Sequence, residues 1–150
     1  MAIARGAGTE IIRSAHFEGV NSTDQTLIKG VQHHIYTVLS IICHCENVET
    51  TGHRIQCYIQ GYDSKGGTTA QSVYVFKEPI SADNDTFVWN DKFSFNGYEP
   101  TDFAGPMDDA TKQDAIADQG SSVSQSLIIF SGHASDLYDI HITFIDQNNA

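Results

Sequence analysis

Apolar side chains occupy alternate positions along several short stretches of this chain, and almost nothing of helical period lies between them. From Val31 to Cys45 one parity reads Val31, Ile35, Leu39, Ile41, Cys43 and Cys45, while the other carries Gln32, His34, Ser40 and His44. From His53 to Gly61, Ile55, Cys57 and Ile59 alternate with Arg54, Gln56 and Gln60. Near the C-terminus, Tyr138, Ile140, Ile142 and Phe144 alternate with Asp139, His141 and Thr143. A period of two sends successive side chains to opposite faces of a sheet, so each stretch buries one face and wets the other. The pattern predicts an all-β, single-domain antiparallel β-sandwich of jelly-roll type.

Turn chemistry places the remaining elements. Residues 1–30 are rich in Gly, Ser and Thr, with a short alternating patch from Ile11 to Phe17, and read as an extended arm with room for one edge strand. The sandwich is assigned to 31–150. Glu46 to Gly52 reads as a turn, and a hairpin centred near Thr51 sets Cys45 opposite Cys57 and Cys43 opposite Ile59. A loop over Gly61 to Gly67 precedes a short strand at Val73–Phe76, which Pro79 closes. Asp83-Asn84-Asp85 and Asn90-Asp91 mark turns around Phe87–Trp89 and before Phe93–Phe95. Residues 97–122 hold two prolines, three glycines, six acidic residues and one lysine. That span exceeds an ordinary connection and reads as an exposed insertion, with a helical turn in Met107–Asp118. Strands over Val123–Phe130 and Leu137–Ile145, joined by Ser131–Ser135, finish a set of seven or eight. Parallel α/β folds require long helices between strands, which this spacing has no room for.

Charge narrows the partners. The net charge is −11, and it is uneven: residues 1–65 carry five Lys/Arg against six Asp/Glu, residues 66–150 three against thirteen. Nucleic-acid affinity comes largely from Lys and Arg on phosphates, so this balance argues against direct DNA or RNA binding. No apolar run approaches the ~20 residues that cross a bilayer as a helix, and the first residues do not form a secretory signal. Cys43, Cys45 and Cys57 are odd in number and close together, which reads as reduced thiols of a chain made in a cytoplasm rather than a disulfide scaffold.

Candidate chemistry is thin. Cys43-His44-Cys45 with Cys57 is the best metal candidate, since zinc takes four soft ligands in a tetrahedron. On a strand, however, Cys43 and Cys45 share one face and His44 takes the other, so packing as small core hydrophobes is the preferred reading. The seven histidines (His16, His33, His34, His44, His53, His133 and His141) include no His-x-His pair of the kind a cupin-type metal centre uses. Ser131-Gly132-His133 lacks a nucleophile elbow. Asp83-Asn84-Asp85 lacks the Gly and terminal Glu of a calcium loop and reads as a turn. Trp89 and Tyr98 beside the acidic span are the candidates for a sugar-stacking face. No catalytic, cofactor-binding or metal residue is assigned.

Four stretches resemble strand patterns of small virion proteins of tailed bacteriophages, marine ones especially. Gln32 to Ile42 is similar to their opening strand H-x-I-Y-S/T-V/I-L-S/I. Glu78 to Phe87 resembles their P-I-x-A-x-x-T-F/L connection, Asn90-Asp91-Lys92-Phe93 the turn after it, and Ile140 to Asp146 the terminal x-V/I-x-I-T-F/Y-I/L-D/E strand. The resemblance spans about 31–146, with a gap over the acidic insertion. It implies a non-enzymatic virion structural protein without cofactor, most naturally a capsid decoration (cement) protein on the outside of a phage head. Its implied partners are the major capsid protein or other virion subunits and further copies of itself, with no nucleic acid and no membrane. Neck, tail or fibre components are the alternative within the resemblance; a carbohydrate-binding sandwich and a cupin-like enzyme are the alternatives outside it.

Overall fold

The computed structural model describes residues 8–49, 53–61, 72–98, 110–111 and 124–149. Among the described residues nine strands run in chain order: β1 Thr9–Val20, β2 Gln25–Lys29, β3 His34–Asn47, β4 His53–Gln60, β5 Ser72–Ile80, β6 Thr86–Trp89, β7 Phe93–Asn96, β8 Ser126–Ser131 and β9 Leu137–Asn148. The first sheet has the order β1-β9-β3, with β6 and β7 both paired to the far side of β3; the second has the order β2-β8-β4-β5. Every strand pairing is antiparallel. The chain is an all-β sandwich of two antiparallel sheets.

The inner faces supply the core. Val38, Ile41, Cys43 and Cys45 of β3 and Tyr138, Ile140 and Ile142 of β9 are fully buried, as are Ile55 and Cys57 of β4 and Leu127 and Ile129 of β8. Burying one such aliphatic side chain contributes about 1.5–3 kcal/mol, so this single cluster is the main stabilising element.

Several expectations need correction. The stretch read as an arm, 1–30, instead supplies from its described part an edge strand to each sheet: Glu10 to Phe17 of β1 pairs continuously with Gln147 to Ile140 of β9, and β2 pairs with β8. Its apolar residues are few but correctly spaced, with Ala15 and Phe17 against the core and Val20, Leu27 and Ile28 inside it. The proposed hairpin between Cys45 and Cys57 is also absent. β3 and β4 lie in different sheets, so they do not pair with each other. Cys45 pairs instead with Tyr138, and Cys57 with Ile129. On β3 the inward parity changes at an irregularity between Val38 and Ser40. Tyr36 and Val38 therefore point inward where Ile35 and Leu39 were expected, since an extra residue flips every side chain beyond it. Finally, β5 continues through Pro79, which an edge strand tolerates because the missing N–H costs no interior ladder bond. Of the 97–122 insertion, only 97–98 and Ala110–Thr111, which are helical, are among the described residues.

Candidate functional site

The cysteine group forms no chelating unit. Cys43 and Cys45 face inward from the first sheet and Cys57 from the second, all free and fully buried. Burial pushes the Cys43 thiol up to about 12, and raises Cys57 well above and Cys45 above the usual thiol value. Metal binding and nucleophilic attack both use the thiolate, which this apolar setting disfavours. His44 points to the outer face, where its Nδ1 lies 3.0 Å from Thr86 Oγ1. Among the described residues, no three His, Cys, Asp or Glu side chains are grouped to hold a metal ion.

The other candidates resolve into structural roles. In Asp83-Asn84-Asp85, Asn84 takes a left-handed backbone (φ 68°). The turn is locked onto β3: Asn84 N–H donates to the Cys45 carbonyl, Cys45 N–H to the Asp85 carbonyl, and Val48 N–H to Asp83 Oδ1, all at 2.8 Å. Trp89 stacks on Phe76 at the margin of the core, and Tyr98 makes a lone β-bridge to Ser124, so the two do not form a sugar platform. The aromatic cluster on an outer face lies elsewhere. Tyr58, Tyr74 and Phe130 sit together on the second sheet, with ring centroids 5.4 and 5.8 Å from Tyr58, and Lys77 Nζ lies 3.9 Å above the Tyr74 ring. Tyr58 Oη donates to Asp24 Oδ2 at 3.0 Å, and its hydroxyl is pushed up to about 12, by burial first and then by that carboxylate.

Two buried carboxylates escaped the sequence reading. Asp136 is fully buried just before β9; its Oδ1 accepts the Glu49 N–H at 2.9 Å and its Oδ2 lies 3.5 Å from His53 Nδ1. His53 stacks on His133 at 5.3 Å, and Ser131 Oγ donates to the His133 carbonyl at 3.2 Å. With the serine buried and its hydroxyl committed to backbone, this group holds the end of the sandwich together rather than presenting a nucleophile. At the other end of β9, Asp146 is 2 % exposed, with Oδ1 2.6 Å from His34 Nδ1 and Oδ2 3.4 Å from Arg13 Nη1. A signal for both was present. Asp136 and Asp146 continue, at either end, the same parity as Tyr138, Ile140, Ile142 and Phe144.

The remaining feature of functional size is the outer edge of β1, to which no described strand is paired. This strand is twelve residues long and mostly exposed, with Ile12 at 71 % and Ile11 at 37 %. Beside it, the outer face of the first sheet presents cross-strand rows of small polar groups: Ser14 against Thr143 and Thr37 against Ser94. No described helix is long and apolar enough to cross a membrane.

No protein-family model matches the chain, and no curated protein matches it significantly. Among solved structures, it is similar to a subunit from "Bacillus endospore appendages form a novel family of disulfide-linked pili", with 13 % identity, coverage of 100 % of this chain and 97 % of that chain, and a TM-score of 0.44. It is also similar to the infectious bursal disease virus VP2 subviral particle, with 7 % identity, coverage of 97 % of this chain and 34 % of that chain, and a TM-score of 0.40.

Proposed function

We propose that this chain is a non-enzymatic structural subunit of a virion, and specifically a decoration protein on the outer surface of a phage head. One observation carries the reading. The four stretches that resemble tailed-phage virion proteins are dispersed from residue 32 to residue 146, yet three lie on or lead into the first sheet and the fourth runs from β5 of the second sheet into it. Two form the adjacent strands β3 and β9, and the other two enter β6 and β7 on the far side of β3. The jelly-roll reading rests on counting β6 and β7 as one interrupted strand, which leaves eight strands in two sheets of four. The excess of carboxylates beyond residue 65 suits a solvated outer surface. Immunogold labelling tests the proposal, using antibody against the purified chain on particles from the material that carries its gene. Gold on particle heads supports decoration, gold on necks or tails moves the subunit there, and gold only on unassembled protein overturns the virion reading.

A carbohydrate-binding module is a second reading, favoured by the Tyr58, Tyr74 and Phe130 cluster on the second sheet. Glycan-array screening of wild type and Tyr74→Ala decides it. Binding that the substitution abolishes supports this reading, and no binding by wild type retires it.

A further inference from the structure

The edges of the two sheets are not equally closed to pairing. A free strand edge offers unpaired N–H and C=O groups, and proteins block it with short strands, Lys, Pro or bulges. β2 has five residues, a register irregularity and a terminal Lys29. β5 carries Lys77 and Pro79. β6 and β7 have four residues each and are separated by Asn90-Asp91-Lys92. β1 has twelve residues, contains neither Lys nor Pro, and pairs without interruption from Thr9 to Phe17. It also holds Ile12, with the largest exposed fraction among the large apolar side chains described.

We propose that β1 is a self-pairing edge. A second copy of this chain lays its β1 antiparallel against the first about a two-fold axis at Ile12, joining the two first sheets into one continuous sheet. The charge pattern of β1 selects a second copy as occupant, and charge and strand length together select the register, since an axis at Ile11 would engage only residues 9–13 of the strand. In a two-fold antiparallel pair, each strand position faces one on the same side of the sheet, so the axis passes through a residue that faces its own copy. An axis at Arg13 sets two guanidinium groups opposite each other, and an axis at Ser14 sets Glu10 opposite Glu18; like charges directly opposite are destabilising. An axis at Ala15 drives the pairing into the irregularity between Phe17 and Val20. An axis at Ile12 places Ile12 on Ile12, Ile11 on Arg13 and Glu10 on Ser14, with no like charges directly opposite; the two Arg13 lie diagonally, each paired with its own Asp146. It also sets Glu10 diagonal to His16 and shields the exposed isoleucine from water. Because the other edges are blunted, such pairing closes at two copies instead of extending into a fibre.

The inference does not depend on the virion reading, and solution experiments on the purified chain decide it. Sedimentation equilibrium is expected to return twice the 16.5 kDa chain mass. Facing residues of an antiparallel pair have Cα atoms about 4.5–5.5 Å apart, within the ~4.4–6.8 Å span of a disulfide. Ile12→Cys is therefore expected to cross-link into dimers on mild oxidation while Glu18→Cys does not, the native thiols being buried. Ile12→Lys sets two ammonium groups on the axis and is expected to halve the measured mass with an unchanged circular-dichroism spectrum. If that variant unfolds, the two cysteine variants decide. A wild-type monomer at tens of micromolar, or Glu18→Cys cross-linking as fully as Ile12→Cys, would overturn the proposal.

Discussion

Gly30 and Gly97 cross backbone against backbone where β2 ends, β7 ends and β8 begins. Gly30 N–H donates to the Gln125 carbonyl at 2.7 Å, Gln125 N–H to the Gly97 carbonyl at 2.8 Å, and Gly97 N–H to the His34 carbonyl at 2.8 Å. A Cβ on Gly30 would overlap the carbonyl oxygens of Gly97 and Gln125, and one on Gly97 would overlap that of Val31. The crossing ties the second sheet to the β3 end of the first, so each glycine is needed for closeness rather than for an unusual φ.

Gly97→Ala is therefore expected to destabilise the fold by about 3 kcal/mol, the upper part of the usual overpacking range. The atoms an added Cβ would meet first are all backbone atoms of Val31, which yield less readily than the end of a side chain. Urea unfolding followed by circular dichroism measures the effect, and a wild-type midpoint would contradict the crossing.

Removal of the Asp146 carboxylate, as in Asp146→Ala, strips His34 and Arg13 of a buried charged partner. The expected cost is about 2–3 kcal/mol, the scale of hydrogen bonds to charged groups. Arg13→Ala should cost under about 1 kcal/mol, because the arginine is 56 % exposed and its pair is screened by water. If the two substitutions destabilise equally in urea, the weight assigned to the His34 contact is misplaced.

Alkaline pH should weaken the fold. Cys43 rises from 9.0 to about 12 and Tyr58 from 10.0 to about 12, while Cys57 and Tyr138 move the same way, chiefly through burial. A group whose folded value is raised holds its proton more tightly when folded, so its contribution is complete below the unfolded value and is lost as pH climbs through the folded one. The urea midpoint should stay level from pH 7 to just below 9 as far as these groups act, then fall between pH 9 and 12. Tyr58→Phe should flatten the part of the fall between pH 10 and 12. A midpoint that rises across that window would mean that the folded chain holds these protons less tightly than the unfolded one.

The three thiols should be silent in the native state. Cys43, Cys45 and Cys57 are expected to resist iodoacetamide at pH 8 until the protein unfolds, and Cys→Ala at each to cost about 1–2 kcal/mol through lost volume. A chelator should leave the melting temperature unchanged. A drop that added zinc restores would instead identify a structural metal, since binding energy at such a site is folding energy.

What the chain's own order determined is local: where strands run and which side of each is apolar. The alternation in 53–61 and 138–144 needs only the period-two geometry of an extended backbone, and β4 and β9 follow it. The turn at Asp83-Asn84-Asp85 was legible because Asn and Asp tolerate turn backbones, and Asn84 takes a left-handed one; the inward side of Cys43, Cys45 and Cys57 was legible from the alternation. Partner choice was not. Whether β3 turns back on β4 or crosses to the other sheet depends on which arrangement buries both apolar faces at once, and no window of residues contains that comparison. The irregularity at Val38–Ser40 follows from pairing with β9, and the Gly30–Gly97 crossing from closure of segments far apart in the chain. The arm became two edge strands because neighbours already in place supplied ladders for a segment with few apolar residues of its own. The carboxylates of Asp136, just before β9, and Asp146, within it, shared the parity of its inward row all along; only the tertiary structure brought His53, His34 and Arg13 to them, without which a buried charge would not be tolerated.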